Sequence, residues 1–179
     1  MQQYAQEAVT EHLSKSLQPA LDRELKWKRK PPFDNEVSDE IIDQIMRQAR
    51  RWSDRYRAMK SAAEYSGDSK ILDAANIRKV FSTPVPMRVF AWNKQSCIDT
   101  VMTPDDSIRS YKSFLRAGLL ALEPETGYIK AYVGSGNYRY FKYDHVRQGK
   151  RQVGSTFKPF LYSLAMQEGF TPCDQVGNI

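Results

Sequence analysis

The hydrophobic pattern of this chain changes once, near residue 82, and that change most constrains its fold. Before it, apolar residues recur three or four positions apart, which is typical of amphipathic helices. After it, short apolar runs alternate with turns that contain proline and glycine, which is typical of strands. With 179 residues, 41% of them hydrophobic, the chain is long enough for one ordinary domain. The pattern predicts an α/β (α+β) fold in which helices pack on antiparallel strands.

Three helices are predicted before the change. The first covers about 4–25 and ends at a basic segment followed by two prolines. The second has Ser38 or Asp39 as its N-cap and runs to about Ala63. The third covers 69–79. The apolar stripe predicted for the first helix consists of Tyr4, Ala8, Leu13, Leu17 and Leu21.

The pattern after the change predicts strands, two helices and a hairpin. Strands are expected at 87–92 and 98–102, followed by a helix that Thr103 caps. Two apolar runs around a turn with proline and glycine predict a hairpin over 117–134. A last helix begins near Ser155.

Charge and composition exclude some classes of function. The net charge of +6 suits a polyanionic partner, but it also suits a soluble domain that avoids zero net charge. No uncharged apolar run approaches the length of a membrane span. The two cysteines and two histidines have no metal-ligand spacing, so we expect no zinc or iron site. They are Cys97, Cys173, His12 and His145. No organic cofactor is called for either.

A basic segment at 47–57 interleaves arginines with Trp52 and Tyr56. One interpretation is a binding surface for nucleic acid or another anionic polymer. The other is a solvated helix face, with the two aromatic rings packed inward and the arginine stems covering apolar surface. The second is favoured, because no recognised nucleic-acid module surrounds the segment, and we expect no nucleic-acid partner.

Ser155 and Lys158 form the Ser-x-x-Lys pattern of the chain. Residues three apart share one face of a helix, so the lysine amine can reach the serine hydroxyl. A helix start also places an alkoxide at the positive end of the helix dipole. This arrangement supplies a nucleophile and a base without histidine. A surface serine and lysine at a helix start explain the spacing equally well.

Three segments resemble a known family. The segment ALEPETGYIKAYVG at 121–134 is similar to the stretch that precedes the active serine in bifunctional (class A) penicillin-binding proteins. The segment RQVGSTFKPF at 151–160 resembles the active-serine motif of that family over all ten positions. The segment TVMTP at 100–104 looks like one branch of it. The resemblance implies a partial transpeptidase fold, with 1–85 as its mainly helical N-terminal part and 86–179 as the start of its core.

The resemblance implies a D,D-transpeptidase that cross-links peptidoglycan stem peptides. Ser155 would attack the penultimate D-alanine carbonyl and form an acyl-enzyme, as it would with β-lactams. Lys158 would take the serine proton, which requires its pKa to fall from about 10.4 towards 7. The backbone N–H of Ser155 would be one oxyanion donor. The parent enzyme would act outside the cytoplasmic membrane, anchored by a segment not in this chain.

The chain also departs from that family. Neither Ser-x-Asn nor Lys-Thr-Gly, the other two motifs of the family, occurs in it. We therefore interpret it as a fragment whose partners are the glycosyltransferase domain and the C-terminal transpeptidase half, and which acylates slowly or not at all. A further departure is Gly134-Ser135-Gly136, where the family usually has adjacent glycines. The alternatives are a non-catalytic basic module that binds an anionic polymer and a serine-lysine hydrolase or β-lactam sensor.

Overall fold

A computed structural model describes residues 1–175, with helices through the first half and short antiparallel strands in the second. The predicted α+β class is therefore confirmed. The described chain divides into two compact units, Met1–Arg147 and the part that begins at Gln148. The helices are α1 (Gln2–Glu11), α2 (Gln18–Leu25), α3 (Asp39–Trp52), α4 (Asp54–Ser66), α5 (Ala74–Ser82), α6 (Pro104–Ser113) and α7 (Lys158–Gln167). The strands are β1 (Val85–Phe90), β2 (Cys97–Met102), β3 (Leu119–Leu122) and β4 (Ile129–Val133).

The first predicted helix is continuous but not uniform. A π-helical segment, His12–Leu17, joins α1 to α2. The backbone N–H of Gln18 bonds to the carbonyl of Leu13, five residues back, and the wider turn ends directly before Pro19, which has no N–H of its own. The predicted apolar stripe is wrong as a core face, because Leu13 is buried whereas Tyr4 is 75% exposed. The wide turn rotates the later residues relative to the earlier ones.

The second predicted helix is two helices, so its single span was wrong. Ser53 separates α3 from α4 in an extended conformation. Its hydroxyl donates to the carbonyl of Arg50 at 2.6 Å and accepts the backbone N–H of Tyr56 at 3.2 Å. One serine thus ends the first helix and caps the next, which is why serine is favoured at such a position.

Two hairpins supply the strands. β1 pairs with β2, and β3 pairs with β4, both antiparallel, as two separate two-stranded sheets among the described residues. The predicted hairpin over 117–134 is confirmed, with Gly127 at φ +73° in its turn. In the β3–β4 ladder, a bulge between Ala121 and Leu122 shifts the register.

Aromatic rings form the core between the first hairpin and the loop after β4. The ring of Phe90, which is 2% exposed, makes edge-on contacts with Phe114 at 4.9 Å and with Phe141 at 4.8 Å between centroids. The Tyr111 ring packs on Phe141, and burial raises the pKa of this tyrosine to about 12. The helix that carries Tyr111 begins as predicted, with the Thr103 hydroxyl accepting the N–H of Asp106 at 3.0 Å. A second set of buried side chains, from α3 and α5, includes Ile42, Met46 and Phe81.

No helix within the described range 1–175 is both long and apolar enough to cross a bilayer.

Candidate functional site

Ser155 and Lys158 lie at the entry to α7, in the second unit. Gly154 has φ +49°, a conformation that favours glycine, and it begins a 3-10 turn, Gly154–Phe157. This turn leads directly into α7, which starts at Lys158. The predicted last helix near Ser155 is therefore confirmed, with a 3-10 first turn in place of an α-helical one.

The 3-10 turn supplies the hydrogen bond that Pro159 cannot make. Proline has no N–H to bond the carbonyl of Ser155 four residues back. The backbone N–H of Lys158 bonds to that carbonyl instead, three residues along. At the start of the turn, the carbonyl of Val153 accepts the N–H of Thr156 at 3.1 Å and the hydroxyl of the same threonine. The turn therefore has a defined backbone in spite of the proline.

Both side chains of the Ser-x-x-Lys pattern are exposed to solvent. Within the described residues, no hydrogen bond joins the Ser155 hydroxyl to the Lys158 amine. Spacing alone makes them neighbours, since side chains three residues apart on a helix lie about 5–6 Å apart at Cβ. The roles of nucleophile, base and oxyanion donor stay predictions.

The basic segment at 47–57 is divided by the break at Ser53, and part of its charge is engaged. The Arg50 guanidinium donates to both oxygens of Asp105, each at 2.7 Å, and Arg57 pairs with Asp54. Trp52 is 73% exposed, so the expectation that it packs inward was wrong. Its position at the last residue of α3 turns it away from the core that Ile42 and Met46 enter.

Metal-binding residues do not cluster in the part of the chain that the structure describes, where no group of three or more histidine, cysteine or carboxylate side chains converges. Cys97 and Cys173 are free thiols, the first half-buried and the second exposed.

A cleft in the first unit brings together residues that the sequence did not single out as functional. It lies between α1, the turn that joins β1 to β2, and the loop after β4. At its edge, the Tyr132 hydroxyl donates to Asp144 at 2.6 Å. This bond is the largest cause that lowers the pKa of the Asp144 carboxyl, and the backbone N–H groups of Arg147 and Val146 add to it. The same bond, with burial, raises the pKa of Tyr132.

The Gly-Ser-Gly run is the one sequence feature that points to this cleft. A Cβ atom on Gly134 would lie 2.9 Å from the carboxylate carbon of Asp144, and one on Gly136 would lie 3.2 Å from the Trp92 ring. Both glycines therefore permit close approaches that no other residue allows without movement. Ser135, between them, is held in the cleft wall.

Comparison with known proteins relates the chain to penicillin-binding proteins. The family model described as the penicillin-binding protein middle domain matches residues 28–115. The chain is 45% identical over 60 residues to penicillin-binding protein 2D of Bacillus subtilis, over 34% of this chain and 9% of that protein. It is 40% identical over 63 residues to penicillin-binding protein 1A of Pseudomonas aeruginosa, over 35% of this chain and 8% of that protein.

A third relative, penicillin-binding protein 1A of Escherichia coli, is 34% identical over 65 residues, 36% of this chain and 8% of its own length. The chain thus matches less than a tenth of the length of each of these relatives. No solved structure matches. The similarity to penicillin-binding proteins agrees with the resemblance seen in the sequence.

The family model places its match mainly on the helical half. Its range, 28–115, ends before β3, so Ser155 and Lys158 lie outside it. It also crosses the predicted boundary between 85 and 86, which stays a prediction.

Proposed function

We propose that this chain is part of a peptidoglycan D,D-transpeptidase and carries its acylated serine. One observation carries the proposal: an exposed serine and an exposed lysine, three residues apart, lie at the start of a helix. The ten-residue resemblance around them and the similarity to penicillin-binding proteins support it. The substrate would be a stem peptide that ends in two D-alanines, and the parent protein would work outside the cytoplasmic membrane alongside a glycosyltransferase domain.

The proposed step is a balanced acyl transfer. The Ser155 Oγ attacks a carbonyl carbon and forms an ester, while Lys158 removes the serine proton. The amide C–N bond of the substrate breaks, and the proton passes to the leaving nitrogen. In a β-lactam the leaving nitrogen stays tethered in the opened ring, so the adduct has the mass of the whole drug. Exposure of Ser155 leaves the nucleophile open to such a reagent.

The lysine must lose its proton before it can act as a base. Lys158 is exposed, and within the described residues no hydrogen bond joins its amine to the Ser155 hydroxyl. We therefore expect slow, substoichiometric acylation of the isolated chain, because the proton transfer requires the amine and the hydroxyl to come within hydrogen-bond distance.

Intact-mass spectrometry after prolonged incubation with a reactive penicillin tests the proposal. We expect a slowly growing species heavier by one drug molecule, which peptide mapping places on Ser155. Ser155→Ala should abolish it. Ser163→Ala should not, since Ser163 lies in α7 and donates its hydroxyl to the Pro159 carbonyl at 2.8 Å. An adduct that persists in Ser155→Ala would contradict the assignment of the nucleophile, and the lack of any adduct would contradict acylation by this chain.

A further inference from the structure

The cleft beside α1 has the size of a ligand site. Its volume is about 660 Å³, within the range of about 300–1,000 Å³ that small-molecule sites occupy. Three separate elements supply its walls: α1, the β1–β2 turn, and the loop 134–138. All of them belong to the first unit.

One wall of the cleft, the β1–β2 turn, is held in shape by its own contacts. In the β1–β2 turn, the Asn93 side chain donates to the carbonyl of Cys97 at 2.8 Å and accepts its N–H at 3.2 Å. Ser96, in the same turn, adopts a positive φ of 57°, which is uncommon for a residue other than glycine. The Trp92 ring is fixed edge-on against Phe90 at 4.9 Å. A rigid wall lowers the entropy that a ligand must overcome on binding.

Two polar atoms in the wall lack partners. The indole Nε1 of Trp92 and the hydroxyl of Ser135 are buried and make no hydrogen bond within the described residues. Leaving such a group unpaired costs about 1–3 kcal/mol, and native structures rarely retain one without a reason. Both atoms belong to residues that line the same cleft, which points to a ligand that completes them when it binds.

The other polar groups define the ligand as neutral. No lysine or arginine lines the cleft among the described residues, so nothing there favours a phosphate or another anion. The one carboxylate, Asp144, already accepts the Tyr132 hydroxyl and two backbone N–H groups, so it offers little to a cation. What remains are amide and hydroxyl side chains, including Gln6 and Thr10 of α1, which both donate and accept.

From this chemistry, we propose that the cleft binds a neutral saccharide. Sugar hydroxyls donate and accept hydrogen bonds at once, as the amides and hydroxyls of the wall do. The rings of Trp92 and Tyr138 supply apolar faces for the C–H surface of the sugar. Because the two unpaired atoms are shut off from solvent, binding includes an outward movement of the loop 134–138 that gives the indole N–H and the Ser135 hydroxyl to ligand oxygens. The proposal does not depend on acylation of Ser155.

Tryptophan fluorescence tests the proposal in the full chain. The other two tryptophans, Trp27 and Trp52, are 85% and 73% exposed, so replacing both by phenylalanine leaves Trp92 as the reporter at little cost to the fold. Titration with the β-1,4-linked trimer of N-acetylglucosamine should give a saturable change in Trp92 emission. The same titration of the chain with Ser155→Ala should be unaffected, which separates this site from the proposed acyl-enzyme chemistry.

Two further substitutions locate the ligand. Ser135→Ala should weaken binding by about 3- to 10-fold, as for one lost hydrogen bond. Gln6→Ala should weaken it by a similar factor, and because Gln6 is on the exposed side of α1 this variant keeps the fold if Ser135→Ala does not. Ser61→Ala, on the exposed side of α4, is the matched control and should bind as the parent does.

Three results would overturn the proposal. One is no saturable change at millimolar trimer. Another is binding that neither Ser135→Ala nor Gln6→Ala weakens. The third is displacement of the trimer by a short neutral peptide with the same sensitivity to both substitutions, which would make the cleft a peptide site.

Discussion

At the scale of single residues, two glutamines fasten helices to distant backbone. The Gln2 amide donates to the Tyr132 carbonyl at 2.9 Å and accepts its N–H at 2.7 Å, which occupies the outer edge of β4. The Gln18 amide donates to the Ser113 carbonyl at 3.1 Å and accepts the N–H of Leu115 at 2.9 Å. Each side-chain amide donates to a backbone carbonyl and accepts a backbone N–H, as a neighbouring strand would. Gln2 bonds across 130 residues of sequence, and Gln18 across 95 and 97.

Gln18 is the more consequential of the two, because it is only 4% exposed. We expect Gln18→Ala to lower the free energy of unfolding by about 2 kcal/mol, since it leaves the partly buried N–H of Leu115 and the partly buried carbonyl of Ser113 without this partner. Gln44→Ala, on the exposed side of α3, should change stability by no more than about 0.5 kcal/mol. Urea unfolding followed by circular dichroism measures both, and equal losses in the two variants would contradict this role.

The bond between Tyr132 and Asp144 predicts a pH dependence. The folded state lowers the pKa of Asp144, so its contribution to stability is complete above the unfolded value of about 4 and is lost as the pH falls through the folded pKa. Tyr132→Phe removes the largest cause, so the carboxyl pKa should rise towards its ordinary value and the acid loss of stability should diminish. Carbon NMR titration of the Asp144 carboxyl measures this directly.

The matched control for that titration is Tyr65→Phe, which changes a ring that is 96% exposed. It should leave the pKa of Asp144 where the parent chain has it. If Tyr132→Phe also leaves that pKa unchanged, the backbone N–H groups of Val146 and Arg147, and not the phenol, hold the carboxylate ionised.

These residues show where sequence reasoning stops. The Thr103 cap and the turn at Gly127 can be predicted from the sequence, because each depends on residues within a few positions. Thr103 bonds to Asp106, and Gly127 adopts the positive φ of its own turn. The partners of Gln18 become neighbours only after the chain folds. Polar side chains in a helix look alike in sequence, so nothing distinguished Gln18 from the exposed Gln44.

At the scale of elements, an ion pair connects α3 to α6. Arg50 and Asp105 make a two-point contact, and their side chains are 24% and 21% exposed. A double-mutant cycle with Arg50→Met and Asp105→Asn should give a coupling free energy of about 1–3 kcal/mol, because charge-assisted, partly buried bonds are stronger than exposed ones. Unfolding free energies of the two single variants and the double variant supply the measurement.

The chain contains a natural control for that cycle. Arg88 and Asp99, across the β1–β2 hairpin, have the same two-point geometry, at 2.7 and 2.9 Å, but are 59% and 70% exposed. Their coupling should not exceed about 1 kcal/mol, as is usual for surface pairs. A coupling as large as that of the first pair would mean that geometry, and not burial, sets the strength.

Element types followed from the sequence better than element junctions did. Strands, hairpin and caps were located by proline, glycine and alternation, all short-range features, although the first strand lies two residues earlier than predicted. The break at Ser53 and the π-helical turn before Pro19 were missed. In these two places a single hydrogen-bonding residue or a missing N–H decides the geometry. The third predicted helix, over 69–79, was also wrong as one span, because extended Asp73 separates a 3-10 turn, Ser69–Leu72, from α5.

At the scale of the whole molecule, the candidate sites differ in how far the sequence could find them. Ser155 and Lys158 are three residues apart in sequence, so spacing and resemblance singled them out. The cleft draws its walls from α1, the β1–β2 turn and the loop 134–138, so no local pattern encodes it. The one feature of the cleft that the sequence analysis noted is Ser135, which stands between two glycines where the related family usually has adjacent glycines.

The division into two compact units predicts the first site of proteolysis. Between Arg147 and the turn at Gly154 the chain has no regular secondary structure, and Lys150 and Arg151 are exposed there. Brief trypsin treatment should therefore cut first within 147–151 and leave a resistant fragment of the first unit, because cleavage requires backbone that is free to open locally. Mass spectrometry of the early products identifies the cut. Replacing Arg147, Lys150 and Arg151 by glutamine should delay it, whereas a first cut at 26–29, before the two prolines, would show that the first unit opens more readily than this connection.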